Sequence, residues 1–342
     1  MSWWVATGRW SDGMSANGTN WKERTALVGL GLSVLGTAGC CHLSASREPR
    51  TCEALPETLA AEFAAAQADP PPVIEGDPVT GRSYYFQPVE VPAAPDRFAT
   101  NRVITLDCLL PREAGRHPVV LVLPISGGGY QLERHFARYF ARHGLAAVVV
   151  HRRKIDIETR SAEDTNELLK GSVHDNMQVI DWIVRRPDFD PERIGVFGTS
   201  IGGVKAVMVA ALDARVRAAV IGLAGSDLGY ILAHTTEPGF TKVRKEMMRE
   251  RNFTRAELQN EFTAAFTFDP KVVAPYVDRD KVLLVLALFD RAVPFRKGWE
   301  LREQLGKPET IIVPTGHYTA ALYLPYIRSQ SLHFLLKKLD AE

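Results

Sequence analysis

Apolar runs alternate with helical patterns through most of the chain, and this alternation most constrains the fold. Runs rich in Val, Ile and Leu predict buried strands at 102–110, 117–125, 145–151, 193–197, 216–225, 281–289 and 309–316. Patterns with helical spacing lie between and after them, at 132–144, 173–186, 203–214, 295–306 and 323–339. Strands that alternate with helices predict an α/β domain with a mostly parallel central sheet and helices on both faces.

A G-x-S-x-G pentapeptide, Gly198-Thr199-Ser200-Ile201-Gly202, joins one predicted strand to the helix that follows it. A sharp strand-to-helix turn exposes the serine hydroxyl, and it needs small flanking residues because backbone packs against backbone. Gly198 and Gly202 meet that need. The pattern alone arises by chance in about one chain in ten of this length, so its interpretation depends on partner residues elsewhere.

A serine nucleophile needs a histidine base and a carboxylate that orients the histidine. In a parallel sheet, such residues are expected after the carboxyl ends of strands. Asp290 directly follows the predicted strand 281–289, and His317 directly follows the strand 309–316. We therefore predict a triad of Ser200, Asp290 and His317, with Asp227 as the alternative carboxylate.

An acyl-transfer site also needs two backbone N–H groups that bind the oxyanion. Ile201, at the start of the helix after Ser200, is predicted to provide one. The second is expected from the glycine-rich loop 124–129, where Ile125, Ser126 and Gly127 are candidates and Ser126 is favoured. No Lys-Ser/Thr pair follows these glycines, so a phosphate-binding P-loop is not supported.

The pentapeptide, the chain order of Ser200, Asp290 and His317, and the glycine-rich loop together resemble the α/β-hydrolase fold over about residues 85–342. The spacing looks most like dienelactone-hydrolase and acetyl-esterase relatives, with prolyl-oligopeptidase-type peptidases next. The usual His-Gly of the oxyanion loop is replaced by Pro124-Ile125.

The resemblance implies a serine hydrolase that cleaves a carboxylic ester or related acyl bond of a small molecule through an acyl-enzyme. A prolyl-oligopeptidase-type peptidase, a haloperoxidase-like enzyme or transferase, and an inactive binding protein are the alternatives.

Residues 226–270 form a charged helical stretch that is longer than an ordinary strand-to-strand connection. We interpret it as a helical insertion that caps the site, with a surface helix pair as the alternative.

The sequence lacks H-E-x-x-H, C-x-x-C and dinucleotide-binding glycine patterns, which predicts chemistry without a metal or cofactor. Lys plus Arg (41) balance Asp plus Glu (40), and without a basic stripe a nucleic-acid partner is not expected. The oligomeric state is not predictable from these features.

Residues 1–39 predict a signal peptide, with Met14 as an alternative start. An apolar stretch at 25–39 is too short to span a bilayer comfortably and ends at Cys40. Residues 36–40, Gly-Thr-Ala-Gly-Cys, resemble the bacterial lipoprotein cleavage box. We therefore expect an exported protein of the cell envelope, held to a membrane by lipid on Cys40. A plain signal peptide and an uncleaved anchor are the alternatives.

Residues 40–75 are rich in Ala, Glu and Pro, and we interpret them as a tether that leads to a hydrolase domain at 76–342. Export would permit Cys52 to pair with Cys108. A buried, unpaired Cys108 that acts as a small apolar residue is equally consistent with its place in a strand-like run.

Overall fold

In this computed structural model, the residues described are 39–50, 52–63, 73–81, 83–153 and 161–340. The predicted signal peptide, apart from Gly39, lies outside these ranges.

Eleven strands form the central sheet of the described chain. They are β1 (Cys41–Leu43), β2 (Ile74–Glu75), β3 (Val79–Thr80), β4 (Tyr84–Ala93), β5 (Arg102–Pro111), β6 (His117–Leu123), β7 (Ala146–Val150), β8 (Phe189–Thr199), β9 (Val216–Gly222), β10 (Val282–Ala287) and β11 (Glu309–Val313).

The helices of the described chain lie between the strands in sequence, and the last one follows the final strand. They are α1 (Glu57–Phe63), α2 (Gln131–Ala141), α3 (Ala162–Ile183), α4 (Ile201–Leu212), α5 (Leu228–His234), α6 (Pro238–Arg251), α7 (Arg255–Ala265), α8 (Pro270–Val273), α9 (Phe295–Gln304) and α10 (Leu324–Leu339).

The sheet has the strand order β1-β11-β10-β9-β8-β6-β7-β5-β4-β2, and β3 also pairs with β4. All pairings from β7 to β11 along this order are parallel. The pairings at both ends of the sheet are antiparallel. This topology confirms the predicted α/β fold with a mostly parallel sheet.

Both faces of the sheet are covered, as the strand β6 illustrates. All seven of its residues are buried. Val119, Leu121 and Leu123 join the apolar cluster that includes side chains of α3 and α4, whereas Val120 and Val122 join the cluster that includes α2 and α10. Successive side chains of a strand point to opposite faces, so a continuous apolar run is required where both faces are buried.

The helix α3 and the strand β4 both differ from the sequence-based expectation. The helix expected at 173–186 begins at Ala162, where the side chain of Ser161 accepts a hydrogen bond from the N–H of Asp164 at 2.9 Å and caps it. The sequence-based expectation did not include the strand β4, which contains Pro88 and Pro92. Proline is tolerated here because β4 lies near the end of the sheet and has partners along only part of one side.

The segment 40–75, expected to be a tether, packs against the domain at the points where the structure describes it. Strand β1 pairs antiparallel with β11. Phe63 is buried in the core, with its ring 4.7 Å from that of Phe268. These contacts join residues far apart in sequence, and composition alone does not reveal them.

Residues 226–270, expected to form a helical insertion, contain α5, α6, α7 and the start of α8. Leu258 and Phe262 are buried in the core cluster that α3 also joins. The turn between α5 and α6 reaches the loop after β10, because the N–H of Thr236 donates to the carbonyl of Arg291 at 3.1 Å. The insertion therefore both packs on the domain and extends to the sheet edge that carries Asp290.

Cys52 and Cys108 do not form the disulfide that export would permit. Cys52 is exposed, whereas Cys108 is buried in β5, where burial raises the pKa of its thiol. The alternative of a buried, unpaired Cys108 therefore describes this structure. In the ranges that the structure describes, no helix is both long and apolar enough to span a membrane.

Candidate active site

Ser200 occupies a strained turn between β8 and α4. Its φ is 58° and its ψ is −125°, a backbone conformation that is unfavourable for a residue with a side chain. The turn is held at both ends, because the N–H of Ser200 donates to Gly222 at 2.8 Å and its carbonyl accepts from Val204 at 3.0 Å. This strain presents the hydroxyl at the carboxyl edge of the sheet.

The glycines around Ser200 are required by close backbone packing. A Cβ on Gly198 would overlap the carbonyl of Gly202, and a Cβ on Gly202 would overlap the carbonyl of Leu123. At Gly203 a Cβ would lie 2.8 Å from the carbonyl oxygen of Gly222. The contact between Gly202 and Leu123 also sets the start of the loop 124–129 directly against the turn.

The structure brings Ser200, Asp290 and His317 together. His317 Nδ1 lies 2.7 Å from Asp290 Oδ2, and His317 Nε2 lies 3.2 Å from Ser200 Oγ. An ionised carboxylate only accepts hydrogen bonds, so the proton resides on Nδ1 and leaves Nε2 to accept from the serine hydroxyl. The Asp290 side chain is buried, and its Oδ1 accepts from the N–H groups of Ala292 and Val293, each at 2.9 Å.

Asp227, the alternative carboxylate, serves elsewhere. It is the N-cap of α5, and its Oδ2 accepts a hydrogen bond from Lys297 Nζ at 2.8 Å. Burial raises the pKa of Asp227, but the hydrogen bond and charge of Lys297 outweigh burial and hold it below the usual value. Asp290 is therefore the carboxylate that the fold pairs with His317.

Arg152, which sequence reasoning missed, donates hydrogen bonds to the loop 124–129. It follows β7, and its guanidinium donates to the carbonyl of Gly127 at 2.9 Å and to the carbonyl of Gly128. The N–H of Arg152 donates to the hydroxyl of Tyr130 at 2.9 Å, and its guanidinium lies 4.3 Å from the centre of that ring. The available signal was a pair of arginines directly after a strand, on the edge where site residues gather.

Glu133 of α2 is a second residue that the sequence did not single out. Its buried carboxylate accepts a hydrogen bond from the N–H of Ile125 at 2.8 Å. This N–H is therefore engaged within the protein. Of the three candidates for the second oxyanion donor, Ser126 and Gly127 remain.

Lys205 lies on α4 and is buried close to these charges. Burial, reinforced by the positive charge of Arg152, lowers the pKa of Lys205 to about 8, while Glu133 and Asp175 act in the opposite direction. Within the described ranges, no group of three or more His, Cys, Asp or Glu side chains is placed to hold a metal ion.

The model of the prolyl oligopeptidase family matches residues 133–314, which is more than half of the chain. The chain belongs to the prolyl oligopeptidase family. The match contains Ser200 and Asp290 and ends shortly before His317. No curated protein sequence matches this family member at a significant level.

Solved structures place this prolyl oligopeptidase family member in the α/β-hydrolase fold. An acetyl xylan esterase from Paenibacillus sp. R4 superposes with a TM-score of 0.61 at 20% identity, covering 78% of this chain and 90% of that one. Acetyl xylan esterase 1 from Thermoanaerobacterium sp. JW/SL YS485 gives 0.58 at 18% identity, with 77% and 88% covered. A cold-adapted esterase from an Arctic intertidal metagenomic library gives 0.52 at 16% identity, with 77% and 97% covered. At these identities the likeness concerns the fold.

Proposed function

We propose that this protein is a serine hydrolase that cleaves carboxylic esters of small molecules through an acyl-enzyme. The observation that carries the proposal is the continuous hydrogen-bonded chain from Ser200 Oγ through His317 to Asp290. The strained backbone at Ser200 supports it, since such strain persists only where the surrounding structure enforces it and is concentrated at functional sites.

In the proposed reaction, Ser200 Oγ attacks the acyl carbonyl while His317 Nε2 takes the hydroxyl proton. The same nitrogen then returns a proton to the leaving alcohol. Asp290 holds the imidazole in the required tautomer and stabilises its transient positive charge. Water, activated by His317, attacks the acyl-enzyme and releases the acid.

The oxyanion that forms in both steps requires fixed donors. Ile201 is the first residue of α4, so its N–H has no acceptor within the helix. The second donor is Ser126 or Gly127. Arg152 binds the carbonyls of Gly127 and Gly128 and thereby fixes the orientation of the peptide groups in this loop.

The leaving group decides between an esterase and a peptidase, because this chemistry serves both. Three solved structures of similar fold are those of esterases, and this favours the ester. A serine peptidase is the second candidate, and the match to the prolyl oligopeptidase family favours it.

The test compares p-nitrophenyl acetate and butyrate with the p-nitroanilide of a proline-containing dipeptide. We expect ester hydrolysis, its abolition in Ser200→Ala, and its retention in Ser172→Ala, which removes a hydroxyl on α3. A fluorophosphonate probe should label Ser200 in the wild-type protein. Absence of labelling would indicate an inactive binding protein, and faster cleavage of the anilide would replace the esterase by the peptidase.

A further inference from the structure

The N-terminal segment joins the domain at the carboxyl ends of the parallel strands, which is the side of the sheet that carries the triad. Strand β1 runs antiparallel to β11, with Cys41 opposite Ile312. Gly39 therefore lies beside Pro314, and a Cβ on Gly39 would be 3.4 Å from Cγ of that proline. Because His317 follows the carboxyl end of β11, the chain enters the domain on the side of the triad.

Exposed apolar side chains gather on this same edge. We define the apolar rim as Leu288, Phe289, Tyr318 and Leu322, whose exposed fractions are 41%, 63%, 61% and 56%. These four are half of the eight large apolar side chains exposed in the described ranges. They lie in the connections that follow β10 and β11, with Leu322 in a short 3-10 helix at Thr319–Tyr323. The two connections are joined by a hydrogen bond from the N–H of Phe289 to the carbonyl of Thr315 at 2.8 Å.

Exposed apolar groups concentrated in one place indicate a surface that another apolar phase covers. The chain that leads to this edge contains the apolar stretch 25–39, followed by Cys40 in a lipoprotein-like sequence. The expected attachment to a membrane and the apolar rim thus lie on one edge of the molecule. Arg291, which is exposed in the same loop as Phe289, adds a positive charge that suits anionic lipid headgroups.

We propose that the N-terminal segment attaches the protein to a lipid bilayer and that the apolar rim docks on the surface of that bilayer. The triad edge then faces the membrane. If the proposed ester hydrolysis is correct, the substrates are acyl esters presented from the bilayer, and this consequence alone rests on the proposed function.

The test measures how closely single sites approach lipid. The full chain, with Cys41→Ser and Cys52→Ser to remove exposed thiols, is recovered from the membranes of a bacterial host and reconstituted in phosphatidylethanolamine and phosphatidylglycerol vesicles with brominated phosphatidylcholine. A fluorophore is attached at Phe289→Cys or Leu322→Cys. The matched control is Val79→Cys, since Val79 is 61% exposed and lies near the opposite end of the strand order. The background without an added cysteine measures any labelling of Cys40.

We expect brominated lipid to quench the fluorophore at both rim sites at least threefold more strongly than at Val79→Cys. Equal quenching at the rim and control sites would overturn the proposal, whether the rim faces water, the stretch 25–39 or a second copy. Failure of the protein to associate with the vesicles would overturn it as well. The measurement does not use hydrolysis, and Ser200→Ala should give the same quenching, so a failed esterase assay and a failed docking are distinguishable.

Discussion

The carboxylate of Glu133 accepts a hydrogen bond from the backbone N–H of Ile125 at 2.8 Å. Helix α2 thereby controls the conformation of the loop that faces the Ser200 turn. The bond has two effects. It withdraws one N–H from the set of oxyanion donors, and it anchors the peptide groups of Ser126 and Gly127 that follow.

Replacement of Glu133 by alanine is expected to lower kcat for p-nitrophenyl acetate about tenfold to a hundredfold, with little change in KM. The reason is that a misplaced loop loses part of its transition-state hydrogen bonding, and a whole oxyanion donor is typically worth about 10²–10³ in kcat. Glu133→Gln keeps an acceptor oxygen and should restore most of the rate. An unaltered kcat in Glu133→Ala would show that the loop holds its shape without this bond.

Arg152→Met should also lower kcat by about tenfold or more. The variant loses the charged hydrogen bonds from the guanidinium to the carbonyls of Gly127 and Gly128, so the peptide groups of the oxyanion loop are no longer held in place. Arg152→Lys should not rescue it fully, because an ammonium group lacks the planar fork that reaches two carbonyls. Combining Arg152→Met with Glu133→Ala should cost less than the product of the single effects if both residues act on one loop. Strictly multiplicative losses would argue that the two residues act independently.

Asp290→Asn should reduce kcat on the order of 10⁴-fold, the loss typical when a triad aspartate becomes asparagine and the histidine adopts the wrong tautomer. The amide oxygen can still accept from Ala292 and Val293, so the fold should survive. Asp227→Asn is the matched control, since it weakens the contact with Lys297 and leaves His317 untouched. Similar losses in both variants would remove the distinction between the two carboxylates.

Gly202→Ala should destabilise the fold by about 3 kcal/mol, because the new Cβ overlaps the carbonyl of Leu123 and backbone cannot easily shift. Gly239→Ala is the comparison. Its Cβ would lie 3.1 Å from the carboxylate oxygen of Glu237 that caps α6, a side-chain atom that can shift by a few tenths of an ångström, and a loss of no more than about 1 kcal/mol is expected. Urea unfolding of the two variants checks the contrast, and equal stabilities would refute it.

Lys205 should make stability depend on pH. Its pKa falls from 10.5 to about 8 on folding, so the unfolded chain binds the proton more tightly. The free energy of unfolding therefore rises as the pH rises between these two values, because the folded protein no longer has to bury the charged ammonium group. This gain in stability amounts to about 3 kcal/mol. Lys205→Met has no group that titrates here and lacks the gain, so any stability advantage of this variant over the wild-type protein should shrink from pH 7.5 to 10. A constant difference in unfolding free energy across this range would contradict the assignment.

Local patterns sufficed to predict the central strands, most of the helices and the three residues of the candidate triad. Runs of Val, Ile and Leu such as β6 and β10 can be recognised as buried strands from sequence, because a strand buried on both faces is apolar throughout and does not alternate with polar residues. The positions of Asp290 and His317 followed from a single rule, that parallel strands end at the same edge. Their predicted proximity to Ser200 agrees with the distances in the structure.

By itself, then, the sequence determined the parallel α/β architecture and the chain order of Ser200, Asp290 and His317, because both depend on local periodicity and on strand ends. The tertiary structure decided which groups support that site and what lies beside it. The contacts of Glu133 with Ile125 and of Arg152 with Gly127, like the pairing of Cys41 with Ile312, depend on chain segments that folding brings together. Such contacts leave no periodic trace, since their energy depends on the shape and polarity of a distant partner.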